Sequence, residues 1–382
     1  MRIVSAYKKL ICSPTQLAAC RHIASVSQLL QQLNDLWGND LTDDQLLSEL
    51  MLCNQQVQDI DPVALSGHWL PHRYQAKHRS INWCLPQGHA TEPFHDQYIE
   101  RCRRLLLNQL IAPRTPLQPL LNGAAITSDI QPAGFIFHLS RCGSTLVSGC
   151  LAELHDTHVL SESQLLTEIL LDDSLSETEK QQLLPQFIQL QTAISPSRDR
   201  VIVKWNAWDI FFWPLIRKVY PQVPVIFLTR NPVEILASHQ RSAGRHMSGD
   251  KSMARLNPAF LMADTEKNIL DMRINILSQL MGGMLAVNKG EVRVVDYTQL
   301  NPEKILEIAH FFGAAVTADE YKRIEQRMSV HSKDPHRSFT DDTRQKRQLF
   351  SAAETDKINH HLHNGYQALA RGIEQRDLDY AL

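Results

Sequence analysis

The hydrophobic pattern of this chain changes period repeatedly beyond residue 130. Gly134-Phe-Ile-Phe-His-Leu139 is an apolar run of strand character. The small polar turn Ser140-Arg141-Cys142-Gly143-Ser144-Thr145 follows, and then Leu146, Val147, Cys150, Leu151 and Leu154 recur at helical spacing. A second buried-strand run, Pro224-Val-Ile-Phe-Leu-Thr229, ends in Arg230-Asn231-Pro232, where Asn231 suits a helix cap and Pro232 a first turn. Val201-Ile-Val-Lys204 and Val292-Arg-Val-Val295 supply further strand patterns. Strands alternating with helices predict an α/β fold: a parallel sheet flanked by helices on both faces, with binding at the carboxyl ends of its strands.

Residues 1–125 read differently. Leu29-Leu30, Leu33 and Leu36-Trp37, then Leu46-Leu47 and Leu50-Met51-Leu52, stand at helical spacing. Asp61-Pro62 and Ala112-Pro113-Arg-Thr-Pro116 mark breaks. The expected organisation is a mostly helical accessory domain over 1–125 and an α/β domain over 126–382, joined near the proline-rich stretch Pro113 to Pro132. Ala352 to Ile373 reads as one exposed helix.

Composition narrows the function classes. The 382 residues allow one large core plus an accessory domain, since single cores rarely exceed ~250–300 residues. A net charge of −2 argues against a nucleic-acid protein. The seven cysteines lack a C-x-x-C pair and suggest free thiols in a reducing compartment. The longest apolar run, Ile210-Phe-Phe-Trp-Pro-Leu-Ile216, is too short to cross a bilayer, and the N-terminus lacks the apolar core of a secretion signal, so the expected location is the cytoplasm. His68, His72, His78, His89 and His95, with Glu92 and Asp96, have no recognisable ligand spacing, and neither do His360, His361 and His363. No metal site is expected.

The two strand-to-helix turns carry the chemistry. In the first, backbone N–H groups and the positive end of a helix converge on one spot, which suits phosphate. Gly143 permits close approach, Ser144 and Thr145 offer hydroxyls, and Arg141 adds charge. It is not a Walker A loop, because no lysine follows Gly143. In the second turn, Arg230 at the strand end and Ser238 on the following helix can grip a phosphate between them.

Together these segments resemble the sulfotransferases that use 3′-phosphoadenosine 5′-phosphosulfate (PAPS), a family with a P-loop NTPase-like fold. Arg141, Gly143, Ser144 and Thr145 match the bacterial R-x-G-S-T form of its 5′-phosphosulfate loop. Arg230, Pro232 and Ser238 match its R-x-P-x-x-x-x-x-S segment for the 3′-phosphate. Val292-Arg-Val-Val-Asp-Tyr-Thr-Gln-Leu300 looks like the late strand that brings a tyrosine, here Tyr297, near the adenine. His331-Ser332-Lys333-Asp334-Pro335 looks like the family's Ser-Lys-x-Pro segment, with Ser332 and Lys333 toward the cofactor phosphates. The resemblance covers about residues 132 to 350. It implies a sulfotransferase with PAPS held by Arg141, Cys142, Gly143, Ser144, Thr145, Arg230, Ser238, Tyr297, Ser332 and Lys333.

Sulfuryl transfer requires alignment of acceptor and leaving oxygens, cations for the leaving phosphate, and removal of the acceptor's proton. Arg141 and Lys204 are the candidate catalytic cations. Relatives carry a histidine two residues after the lysine, where this chain has Asn206. Bacterial and protein-tyrosine branches of the family carry a glutamate just after the second strand, so the resemblance implies Glu162, past Val159-Leu-Ser, as the candidate base, with a carboxyl pKa raised by partial desolvation; Asp209 is the runner-up, and His138 reads as a core or cleft histidine. The Gly/Ser-rich basic stretch from Arg241 to Asn257 is either a lid with acceptor contacts or a tolerated surface loop. The acceptor is left open: a small molecule, glycan or peptide. The competing classes are an ATP-dependent kinase on a related fold and a catalytically silent nucleotide-binding protein.

Overall fold

The structure, a computed structural model, describes residues 2–123, 131–195, 197–249, 268–287, 292–331, 334–338 and 348–379, with backbone alone for residues 2, 331, 334–338 and 372–379. The chain divides into two compact units, Met1–Gln131 with Ser163–Ser197, and Pro132–Glu162 with Arg198–Leu382. Residues 163–197, expected in the α/β domain, thus group with the N-terminal residues.

In the first unit the leucine spacing gives the helices Val26–Trp37 and Asp43–Gln55, which bury Leu29, Leu30 and Leu33, and Leu46 and Leu50. Gly38 closes the former in the left-handed conformation, and Thr42 opens the latter with a reciprocal cap against Gln45. The unit is not wholly helical. Strands β1 (Leu70–Gln75), β2 (Ser80–Cys84) and β3 (Arg114–Pro116) form an antiparallel sheet. Its alternation of Tyr74, Ile81 and Trp83 with polar neighbours is too short for periodicity to reveal. The helices Gln164–Leu171 and Glu177–Thr192 complete this unit.

The second unit contains the expected parallel sheet. Its strands are β4 (Pro132–His138), β5 (Thr157–Ser161), β6 (Arg200–Lys204), β7 (Val225–Thr229) and β8 (Val292–Asp296), in the order β5-β6-β4-β7-β8 and all parallel. Both faces are covered, so the strands read as near-continuous apolar runs. On one face Ile136, Ile202, Ile226 and Leu228 pack with Val147, Leu151, Ile305 and Ile308. Gly134 belongs to that face: a Cβ there would lie 2.2 Å from the Phe312 ring. Phe135 and Phe137 alternate to an aromatic layer with Trp205, Trp213, Tyr220 and Phe227.

The helix Ala352–Asp379 departs from the expected exposed one. Ile358, Leu362 and Leu369 are buried, and Lys357 pairs with Asp271 on the helix Ile269–Leu285. Those three apolar positions form a narrow stripe in an otherwise polar sequence, which suffices for one-sided packing. Among the described residues, no helix is long and apolar enough to cross a membrane.

Candidate active site

Each parallel strand ends in a residue that bears chemistry: His138 on β4, Glu162 just after β5, Lys204 on β6, Arg230 just after β7 and Tyr297 just after β8. Register brings three of these together, since Ser161 on β5 and Ile136 on β4 both pair with Lys204. Lys204 is fully buried, and its Nζ lies 2.7 Å from Glu162 Oε1. His138 Nε2 lies 3.4 Å from the same oxygen. Because Ser140 N–H donates to His138 Nδ1 at 3.0 Å, the imidazole proton sits on Nε2, facing the carboxylate.

These contacts reverse one expectation. Burial alone would push the Glu162 carboxyl up, but Lys204 and His138 outweigh it and hold the group well below the usual carboxylate range. Glu162 is therefore ionised and tightly engaged in this arrangement. Burial, assisted by Lys204, lowers His138, which stays neutral. Glu162 also has a φ of +55°, and its N–H donates to Lys204 O at 2.7 Å. A non-glycine residue held in that region marks a constraint imposed by its surroundings.

The first turn is built from the same backbone. Ser140, Arg141 and Gly143 have φ values of +65°, +53° and +85°. Positive φ at these three positions makes a tight turn ahead of the helix Ser144–Leu151. A Cβ on Gly143 would lie 2.6 Å from Leu300 Cδ1 and 2.9 Å from Tyr297 Cδ2. Cys142 points into the core, where burial pushes its thiol up to about 12, so it contributes backbone alone. Arg141 donates to Ser242 O, whereas its buried Nε has no partner among the described residues. An oxyanion in the turn would satisfy it.

Arg230 is buried and stacks on Tyr297, with 3.8 Å from guanidinium carbon to ring centroid. Its Nε donates to Glu234 Oε2 at 2.8 Å. Tyr297 thus borders Gly143 and carries Arg230, which brings the two sequence-predicted turns to one spot. Ser238 is half-buried two turns along the helix Pro232–Arg241 that begins beside Arg230. Asp209 caps its own turn by accepting from Asn206 N at 2.9 Å. Ser332 and Lys333 lie outside the described residues.

Two groups emerge that sequence reasoning did not single out. Glu234 had no signal beyond its i,i+4 spacing from Arg230. His246 lies in the stretch read as lid or loop, on the short turn Arg245–Met247. It is buried, its ring 5.3 Å from that of Trp208 and 5.6 Å from that of His239. Burial above all, aided by the charge of Arg141 and opposed by Glu162, pushes it down to about 3.

No protein-family model matches this chain, and no curated protein matches it in sequence. Among solved structures it is similar to the sulfotransferase domain from the curacin biosynthetic pathway, at 17% identity over 62% of this chain and 99% of that one, with a TM-score of 0.38. It is also similar to a sulfotransferase from Alicyclobacillus acidocaldarius, at 12% identity over 62% and 99% of the respective chains, TM-score 0.34. A third similarity is to retinol dehydratase in complex with androsterone and the inactive cofactor PAP, at 14% identity over 65% and 85%, TM-score 0.35.

Proposed function

We propose that this chain transfers a sulfuryl group from PAPS to a hydroxyl or amine of a small-molecule, glycan or peptide acceptor. The observation that carries the proposal is the shared tyrosine: Tyr297 abuts the turn at Gly143 and carries Arg230 on its ring at 3.8 Å. A donor with phosphates at both ends of one adenosine needs two anion-binding turns within one ligand's reach. The turn Ser140–Thr145 takes the phosphosulfate through backbone N–H groups, the Ser144 and Thr145 hydroxyls and the unsatisfied Nε of Arg141. Arg230 and Ser238 take the 3′-phosphate, with Tyr297 beside the base. Ser332 and Lys333 complete the set by the resemblance described above.

PAPS supplies an activated sulfur whose bond to the bridging oxygen breaks as the acceptor oxygen or nitrogen bonds to it. The protein contributes position and charge. Arg141 and Lys204 offset the negative charge that grows on the leaving phosphate. Glu162 takes the acceptor's proton. Anionic charge bound in the first turn competes with Glu162 for Lys204, and that competition raises the carboxylate's proton affinity when a base is needed. Neutral His138 holds the carboxylate oxygen from the other side and keeps it oriented.

The test is turnover. The full chain incubated with PAPS and cell extract, without added metal, is expected to release adenosine 3′,5′-bisphosphate (PAP) and leave an extract component heavier by one SO₃ unit. ATP hydrolysis that requires magnesium, with PAPS unchanged, would instead identify a kinase-like enzyme.

A further inference from the structure

Within the first unit, Cys84 ends β2 and Cys102 lies on the helix His95–Arg103. Both thiols are buried in one cluster with Leu70, Tyr98 and Ile99. Asn108 ties their backbones together. Its Oδ1 accepts from Leu85 N at 2.7 Å, and its Nδ2 donates to Leu85 O at 2.9 Å and to Cys102 O at 2.8 Å. The adjoining segment is clamped to the same helix, with Tyr98 donating to Gly88 O at 2.8 Å and Arg101 to His89 O at 2.6 Å. Cys84 and Cys102 share that cluster, and Gln87 N donates to Cys102 Sγ at 3.3 Å.

The pair is asymmetric. Donors aimed at one sulfur favour its thiolate. The Cys84 thiol above all, then the Gln87 amide, bring Cys102 down to about 7 against the opposing effect of burial. Burial instead drives Cys20 up to about 11 and Cys150 up to about 12. A thiolate held beside a neutral thiol is the arrangement a two-step oxidation uses.

We infer that Cys84 and Cys102 are a redox site, closing to a reversible disulfide when the protein meets a peroxide. The Cys102 thiolate attacks one peroxide oxygen and the O–O bond breaks. Sulfur is oxidised to the sulfenic acid, and the departing hydroxide takes a proton to become water. The Cys84 sulfur then attacks Cys102; the S–O bond breaks, the S–S bond forms, and a second water leaves with the Cys84 proton. Two thiols and one hydrogen peroxide yield one disulfide and two waters. Because both thiols are buried, the reaction requires the 85–89 segment to open locally and admit the peroxide.

The experiment treats the full native chain with hydrogen peroxide, quenches it, then alkylates the remaining thiols in denaturant and maps the peptides. The expected product is lighter by two hydrogens, with two of the seven cysteines protected, a Cys84–Cys102 linked peptide, and full recovery of thiols in dithiothreitol. In Cys84→Ser, Cys102 gains one oxygen and is trapped by dimedone, while in Cys102→Ser, Cys84 stays reduced. Alkylation of both Cys84 and Cys102 after treatment, with oxidation confined to exposed Cys12 or linked elsewhere, would overturn the inference. The wild-type map decides alone if a variant does not fold, and neither outcome depends on sulfuryl transfer.

Discussion

The carboxyl ends of the strands hold two cation–carboxylate pairs, each with a buried cation, that are built in opposite ways. On the β7 side, Arg230 and Glu234 are four residues apart on adjoining turns, and the planar guanidinium is pinned against Tyr297. On the β5–β6 side, Lys204 and Glu162 are far apart in sequence and meet through strand register, with His138 on the same oxygen. An arginine stacked and paired in this way is a fixed donor, suited to a group that is bound and released unchanged. A lysine is a compact charge on a flexible stem, suited to following charge that moves during a reaction. The difference separates holding from transfer.

The largest effect is expected at the transfer pair. Lys204→Met leaves the half-buried Glu162 without its cation, and chemical denaturation should show a loss of about 3–5 kcal/mol. The double variant Lys204→Met/Glu162→Gln should recover much of that stability, while turnover of both falls by a hundredfold or more. Equal stability of single and double variants would break the comparison. The sign of the pH dependence also follows: the depressed Glu162 contributes stability that is full above the ordinary carboxyl range and lost as pH falls toward its folded value.

Gly143→Ala comes next. Both φ and the 2.6 Å approach to Leu300 oppose a side chain there. The expected cost is about 1–3 kcal/mol in thermal unfolding, with PAP affinity lost together with the turn's shape. Arg230→Lys tests the holding pair more gently. It keeps the charge and loses the fork and stack, so PAP binding should weaken about tenfold, a 1.4 kcal/mol effect. Undiminished binding would show that charge alone suffices at that end.

A pH-dependent effect sharpens the comparison from outside it. Glu168, in the first unit, is also half-buried and also paired, 2.9 Å from Arg73, but Arg73 is 51% exposed. There burial wins and the carboxyl is pushed up to about 7. A raised acid pKa means stability falls as pH climbs from the ordinary carboxyl range toward 7, then levels off. Glu168→Gln should flatten that slope, removing on the order of 1–3 kcal/mol of pH dependence between pH 5 and 8. Glu168 goes up beside an exposed cation, whereas Glu162 goes down beside a buried one.

The same contrast explains what could be read from the sequence. The Arg141–Thr145 turn and the Arg230-Asn-Pro232 start are local, and strand, turn and helix periods located them. That the sheet is parallel followed from alternation; its order β5-β6-β4-β7-β8 did not. Contacts made through register were not legible: nothing near Glu162 signals Lys204, so desolvation was expected to raise a carboxyl that its partners lower. His246 was hidden for a similar reason, because its Gly/Ser-rich neighbours resemble any loop, and only packing against Trp208 reveals it. The small sheet of the first unit and the buried stripe of the last helix escaped because three or four apolar positions are too few to define a period.

Calorimetry of the full chain with PAP, in metal-free buffer, tests the central claim most directly: that both anion turns serve one doubly phosphorylated adenosine. One PAP per chain is predicted, with binding abolished in Gly143→Ala and sharply reduced in Arg230→Ala. No heat with PAP, alongside saturable binding of magnesium-ATP, would contradict it.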